Sequence, residues 1–121
     1  MSWTFTGDRP IYTQLVERLQ MRIVTGAYPP GARLKSVRDL AAEAAVNPNT
    51  MQRALAELED TGLVYTQRTA GRFVTEDEER IAALRERLGR EKVRRFLAEM
   101  RELGYRRAEA AALMETEEEE T

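Results

Sequence analysis

Two helix starts stand eleven residues apart in this chain, at Ser36 and Asn47, and that spacing admits little besides a short helix, a tight turn and a second helix. Ser36-Val37-Arg38-Asp39 has the form of a capping box, with Ser36 as N-cap and Asp39 in place of the usual Glu. Val37, Leu40, Ala41 and Ala44 give the first helix its buried side. Ala45-Val46 then leads into Asn47-Pro48. Asn is a favoured N-cap, and Pro suits the next position because the N–H it lacks has no helical partner there. Met51, Leu55 and Leu58 follow at i, i+4 and i+7 with Ala54 on the same side, so one stripe of this helix faces a core. Gly62 ends it.

The flanking segments complete the pattern. Pro10 opens a helix in which Ile11, Leu15, Leu19 and Ile23 recur every four residues beside Tyr12 and Val16, and Gly26 caps its end. Tyr28-Pro29-Pro30-Gly31 is a turn signal. Before Asp8, Trp3 and Phe5 alternate with polar residues, which fits either a short extended arm or a frayed end. After Gly62, Leu63–Thr66 and Arg72–Thr75 are β-prone segments around a short loop, Gln67–Gly71, and predict a hairpin. Helix, helix, turn, helix and hairpin in that order describe a winged helix-turn-helix over residues 1–75. From Glu76 the composition changes. Glu76-Asp77-Glu78-Glu79 suits the positive end of a helix dipole. Ile81, Leu84 and Leu88 form one apolar stripe and Val93, Phe96, Leu97, Met100 and Leu103 another. The five-residue step from Leu88 to Val93 contains Gly89 and predicts a kink or break. Gly104 ends this helix, a last helix is expected over roughly residues 106–114, and residues 115–121 form an acidic tail expected to be disordered. The fold class is mainly α with a small β-hairpin.

Composition excludes several kinds of chemistry. Without Cys there is neither a disulfide framework nor a thiolate metal site, and without His the commonest general base and metal ligand are missing. The carboxylates sit on helix faces or in the tail, and no Gly-rich loop is present to cradle phosphate. An enzyme is therefore disfavoured, and neither metal nor cofactor is expected. The N-terminus has no basic stretch followed by an apolar run, and no apolar stretch approaches ~18 residues, so a cytoplasmic setting is expected. The net charge of −2 hides a division: residues 1–75 hold nine Lys/Arg against seven Asp/Glu, net +2, and residues 76–121 hold ten against fourteen, net −4. A positive half held against duplex DNA with an acidic half kept away is compatible with phosphate binding.

The second helix of the pair carries the candidate site. With Met51, Leu55 and Leu58 turned inward, Asn49, Gln52, Arg53 and Ala56 point largely outward, with Thr50 at the boundary. Asn or Gln can read adenine and Arg can read guanine, and a recognition helix reads the major groove with its N-terminal residues. Arg38, one turn into the preceding helix, suits a phosphate clamp that Lys35 and Ser36 could assist. Arg68 and Arg72 could reach phosphate or an adjacent minor groove, with Gly71 letting backbone come close. Plainer alternatives stand beside these. Arg38 with Asp39 and Glu43 fits a solvated helix face, Arg53 fits an i, i+4 pair with Glu57, and Arg68 and Arg72 fit ordinary hairpin charges.

Six segments together resemble the GntR family of bacterial transcription regulators: Pro10–Leu15, Pro30–Leu34, Ser36–Ala41, Val46–Thr50, Leu58–Val64 and Gly71–Val74. Asn47-Pro48-Asn49-Thr50 and the short C-terminal segment look most like its YtrA subfamily. The resemblance implies a dimeric repressor or activator on a palindromic operator of double-stranded DNA, and a repressor is the expectation for this chain. By position it implies DNA contacts from Arg38, Asn49, Thr50, Gln52 or Arg53 and from the wing near Arg68 to Gly71. Lys35 stands where the family usually has Pro and adds a candidate phosphate contact. Larger members attach a ligand-binding domain. Here 46 residues follow Thr75, and two helices of that size do not enclose a metabolite pocket of ~300 Å³ or more within one subunit. Their apolar stripes are better explained by packing on the same helices of a second copy, giving a homodimer through residues 76–114. The alternative is a winged helix used to bind protein instead of DNA, and salt-dependent binding to duplexes separates the two.

Overall fold

A computed structural model describes residues 3–119. Among them α1 (Ile11–Val24), α2 (Val37–Ala44) and α3 (Pro48–Asp60) lead into an antiparallel hairpin of β1 (Val64–Gln67) and β2 (Gly71–Val74), followed by α4 (Glu78–Glu102) and α5 (Arg107–Thr116). The chain divides into two compact units between Leu84 and Arg85.

The core of the first unit lies where α1 and α2 pack on α3. Leu15, Leu19 and Ile23 of α1, Leu40 of α2 and Met51, Leu55 and Leu58 of α3 are nearly or wholly removed from solvent, as their helical periodicity requires. The two helix starts form as expected. The Ser36 hydroxyl accepts from the Asp39 N–H at 3.1 Å, and the Asn47 side chain accepts from the Asn49 N–H at 2.8 Å with Pro48 in the first turn. Between them the chain reverses at Ala45, which holds φ +56° and ψ +45°. Its N–H donates to the Ala42 carbonyl and that of Val46 to the Ala41 carbonyl. Sequence reading places no left-handed residue here, because that position favours Gly and Ala gives no such signal.

The hairpin is offset from its expected strands by one residue. Gln67 pairs with Gly71 and only Arg68, Thr69 and Ala70 form the loop, while the Thr75 N–H donates to the Leu63 carbonyl at 2.9 Å and extends the ladder at its base. A third, short stretch lies on the free edge of β2. The Leu34 N–H donates to the Arg72 carbonyl, the Val74 N–H donates to the Ala32 carbonyl, both at 2.9 Å, and Arg33 stands opposite Phe73. This pairing spans about forty residues of sequence and has no local signature. Of the two readings of the N-terminus, the arm is realised. The Gln14 amide accepts from the Thr6 N–H at 2.7 Å and donates to the Thr6 and Arg9 carbonyls, each at 2.8 Å, and the Arg22 guanidinium lies 3.7 Å over the Trp3 ring. The first unit continues past residue 75 because the start of α4 is tied to it. Arg80 donates to the Thr61 carbonyl at 2.9 Å, and Leu84 is buried.

In the second unit α4 runs through Gly89 without interruption, so the break expected there is absent. Gly89 keeps helical dihedrals and, unlike Pro, donates its N–H normally. A mid-helix Gly costs only about 1 kcal/mol against Ala, which the neighbouring turns absorb. Gly104, at φ +95°, ends α4, and Ala110 of α5 is fully buried. α5 continues to Thr116, so the first two residues of the expected tail are helical. Residues 117–119 are exposed, and the last two residues of the expected tail, 120 and 121, lie outside the described residues.

Ala45 is exposed and strained, so Ala45→Gly removes a left-handed cost of roughly 1–2 kcal/mol per L-residue against the smaller entropy cost of Gly. We expect a net stabilisation of about 0.5–1 kcal/mol, read as a higher urea midpoint at unchanged slope.

Candidate nucleic-acid interface

Burial of Met51, Ala54, Leu55 and Leu58 fixes which side of α3 meets solvent. Asn49, Gln52 and Arg53 are exposed and Thr50 is half-buried, so four of the predicted residues share one open face at the N-terminal end of this helix. The Asn47 cap uses the backbone N–H of Asn49, and the Asn49 side chain is exposed. Arg38, in the first turn of α2, is exposed and has no ion pair among the described residues. Ser36 is exposed, but its hydroxyl is engaged as the cap. Lys35 reaches Glu43 at 2.8 Å, an exposed pair that phosphate can displace. Lys35 and Trp3 Nε1 both donate to Glu43, and in that order they hold its carboxyl below the usual carboxylate range.

Arg53 does not form the i, i+4 pair with Glu57. Its guanidinium lies 3.8 Å over the ring of Tyr12 from α1, and the Tyr12 hydroxyl donates to Glu57. One ring on α1 thus takes up both partners, and the bond to Glu57 pushes the phenol up from its ordinary value. At the wing Arg68 is exposed in the loop and Gly71 begins β2 at φ +106°. Arg72 is different. Its Nε meets Glu59 of α3 at 2.6 Å, with only 18 % of its side chain exposed. Thr66 of β1 donates to the same carboxylate. The structure therefore brings Arg72 to α3 and leaves Arg68 outward. Tyr12, Glu43 and Glu59 are the residues that sequence reading passed over. Each acts across at least seven residues of sequence, and only the Arg53–Glu57 spacing hinted that a neighbour was needed.

A helix-turn-helix with an open polar face on its second helix and a short hairpin tied to that helix defines a winged helix-turn-helix DNA-binding protein. Residues 11–74 match the family described as bacterial regulatory proteins, gntR family. The chain belongs to that family, in its YtrA-like group. It is 39 % identical over 105 residues to the uncharacterized HTH-type transcriptional regulator YhcF of Bacillus subtilis, covering 87 % of each chain. It is 37 % identical over 71 residues to the HTH-type transcriptional repressor YtrA of the same organism, covering 59 % of this chain and 55 % of YtrA. A solved GntR family transcriptional regulator from Listeria monocytogenes superposes with a TM-score of 0.87 at 41 % identity, covering 94 % of this chain and all of that one. These relatives are named as transcriptional regulators, not as enzymes. No helix among the described residues is long and apolar enough to cross a membrane.

Glu59 is the carboxylate that ties both strands to α3, and it titrates below its ordinary value. The Thr66 hydroxyl is the largest cause, Arg72 adds to it, and partial burial opposes both. A folded-state carboxyl with a depressed pKa contributes stability that is complete above the unfolded value and is lost as pH falls through the folded one. We therefore expect Glu59→Gln to cost about 1 kcal/mol at pH 7. That difference from wild type should persist down to about pH 4.5 and shrink below it, as followed by urea unfolding at several pH values.

Proposed function

We propose that this chain is a cytoplasmic transcription repressor that binds a palindromic operator as a homodimer. The carrying observation is the open face of α3. Asn49, Gln52 and Arg53 are exposed over a stripe that is almost completely buried, and their amide and guanidinium groups match base edges. Thr50 sits at the rim of that face. Arg38, with Lys35 and Ser36 beside the α2 cap, is assigned to phosphates, and the wing from Arg68 to Gly71 to the neighbouring groove. Arg72 is assigned to holding the wing, since Glu59 already takes it. The repressor sign is supported by the name of YtrA.

The homodimer is assigned to residues 76–114. In the second unit Val93 is 54 % exposed and Met114 60 % exposed. With Phe96, Leu97 and Ala111 they line an open groove of about 410 Å³. Apolar side chains grouped in this way on paired helices call for a covering surface, and the same patch on a second copy supplies it. A dimer in turn requires two half-sites, which is why the operator is read as palindromic.

Selection of bound sites from random duplexes tests this reading. The expected product is an inverted repeat with half-sites about one helical turn, or a multiple of it, apart. Within it Gln52→Ala should relax the preference at one base pair per half-site, a loss of about 1–3 kcal/mol of discrimination, and leave affinity for unrelated duplexes unchanged. Recovery of no enriched sequence, or of an asymmetric single site, contradicts the proposal. The dimer is checked separately. Val93→Asp should sediment as a monomer and bind the selected duplex about 100-fold more weakly, because the second half-site is no longer tethered to the first.

A further inference from the structure

Among residues 1–75, six of the nine cations are held by a carboxylate, a carbonyl or an aromatic ring of the first unit. The other three, Arg33, Arg38 and Arg68, have no hydrogen bond, ion pair or ring partner among the described residues. Arg38 and Arg68 belong to the interface already described. Arg33 belongs to neither the helix pair nor the hairpin, and the sequence gives it no role.

Its placement is defined by the sheet. Arg33 stands opposite Phe73, and Phe73 opposite Tyr65. Cross-strand partners and residues two apart share a face, so Arg33, Phe73, Tyr65 and Gly71 lie on one side of the sheet. The other side carries Thr66 and Arg72, the two residues that meet Glu59 of α3, so the face holding Arg33 is turned away from the helices. Along that face the Arg33 side chain extends toward the loop end of the hairpin. Its Nε lies 3.2 Å from where a Cβ would stand on Gly71, and one terminal nitrogen lies 3.6 Å from it. A side chain at position 71 would occupy the place where this guanidinium lies. Gly71 pairs with Gln67 to close the loop that carries Arg68.

We propose that Arg33 is a DNA phosphate contact of the wing, carried on its third, edge stretch, and that Gly71 lacks a side chain so that this guanidinium can lie across the hairpin toward the loop. A hairpin that enters a groove is flanked by the phosphates bordering it, and a planar guanidinium with free donors on the flank matches a phosphate oxygen pair. The inference rests on the DNA-binding reading above and adds a contact to it.

Salt titration of binding tests it on the full chain, with a duplex recovered by the selection and a random-sequence duplex of the same length. Arg33→Gln should lower the slope of log K on log salt by about 1 on both duplexes and weaken each about threefold to tenfold. Base preference and thermal midpoint should stay as in wild type, since the Arg33 side chain has no partner among the described residues, and Arg33→Lys should keep the slope. A slope and affinity equal to wild type in Arg33→Gln overturn the inference, as does a weakening confined to one base pair of the selected site. If the wild-type chain shows no salt-dependent duplex binding at all, the regulator reading fails and carries this inference with it. Steep wild-type binding that Arg33→Gln leaves intact removes this inference alone.

Discussion

Met51, Leu55 and Leu58 leave at most 1 % of their surface to solvent, and once they are seated α3 cannot turn about its own axis. Each such side chain is worth about 1.5–3 kcal/mol on transfer from water, so a rotation that exposed even two of them would cost a large share of the stability of a domain this size. The polar face opposite is therefore held in place by apolar packing against α1 and α2 and needs no contacts of its own to stay presented. That separation leaves the side chains of Asn49 and Gln52 free of partners among the described residues, whereas Arg53 also lies over the Tyr12 ring.

The other parts assigned to DNA are referred to the same helix. Asn47 and the left-handed Ala45 set where α3 begins relative to α2, and so where Arg38 lies with respect to the N-terminal end of α3. Glu59, at the far end of α3, holds Thr66 and Arg72 and through them both strands of the hairpin. A two-stranded ribbon has little independent stability in water, so a wing of this size needs such a tie to keep its loop in a defined place. The backbone bonds from Ala32 and Leu34 to β2 supply a second tie from the opposite edge.

The helices were legible because their signals are local. Ser36, Asn47-Pro48 and the stripe of α3 each act within one or two turns, and the structure reproduces them. No break forms at Gly89 because a single Gly weakens a helix without interrupting it, and the five-residue step in the apolar pattern concerns which residues are covered, not whether the backbone bonds persist. What escaped altogether was non-local. Tyr12 reaches Glu57 across 45 residues, Glu59 reaches Arg72 across 13, and Arg33 meets Phe73 across a turn and two helices. The face of α3 was legible from its own periodicity; the fate of each arginine was not, since that depends on which carboxylate or ring the fold brings beside it.

That allocation of arginines changes how the charge of the chain should be understood. Residues 1–75 have only a small positive excess, the first unit as a whole, 1–84, has none, and most of its cations are engaged within the fold, so a general positive field contributes little attraction to a polyanion. Any affinity for phosphate must come from a few guanidiniums in fixed positions, with the helix dipole of α2 behind Arg38. Such a surface gains less from non-specific attraction than a strongly basic one, and discrimination among sequences then rests more heavily on the α3 face proposed to read bases. A modest net charge is thus consistent with a DNA-binding protein whose selectivity exceeds its appetite for DNA in general.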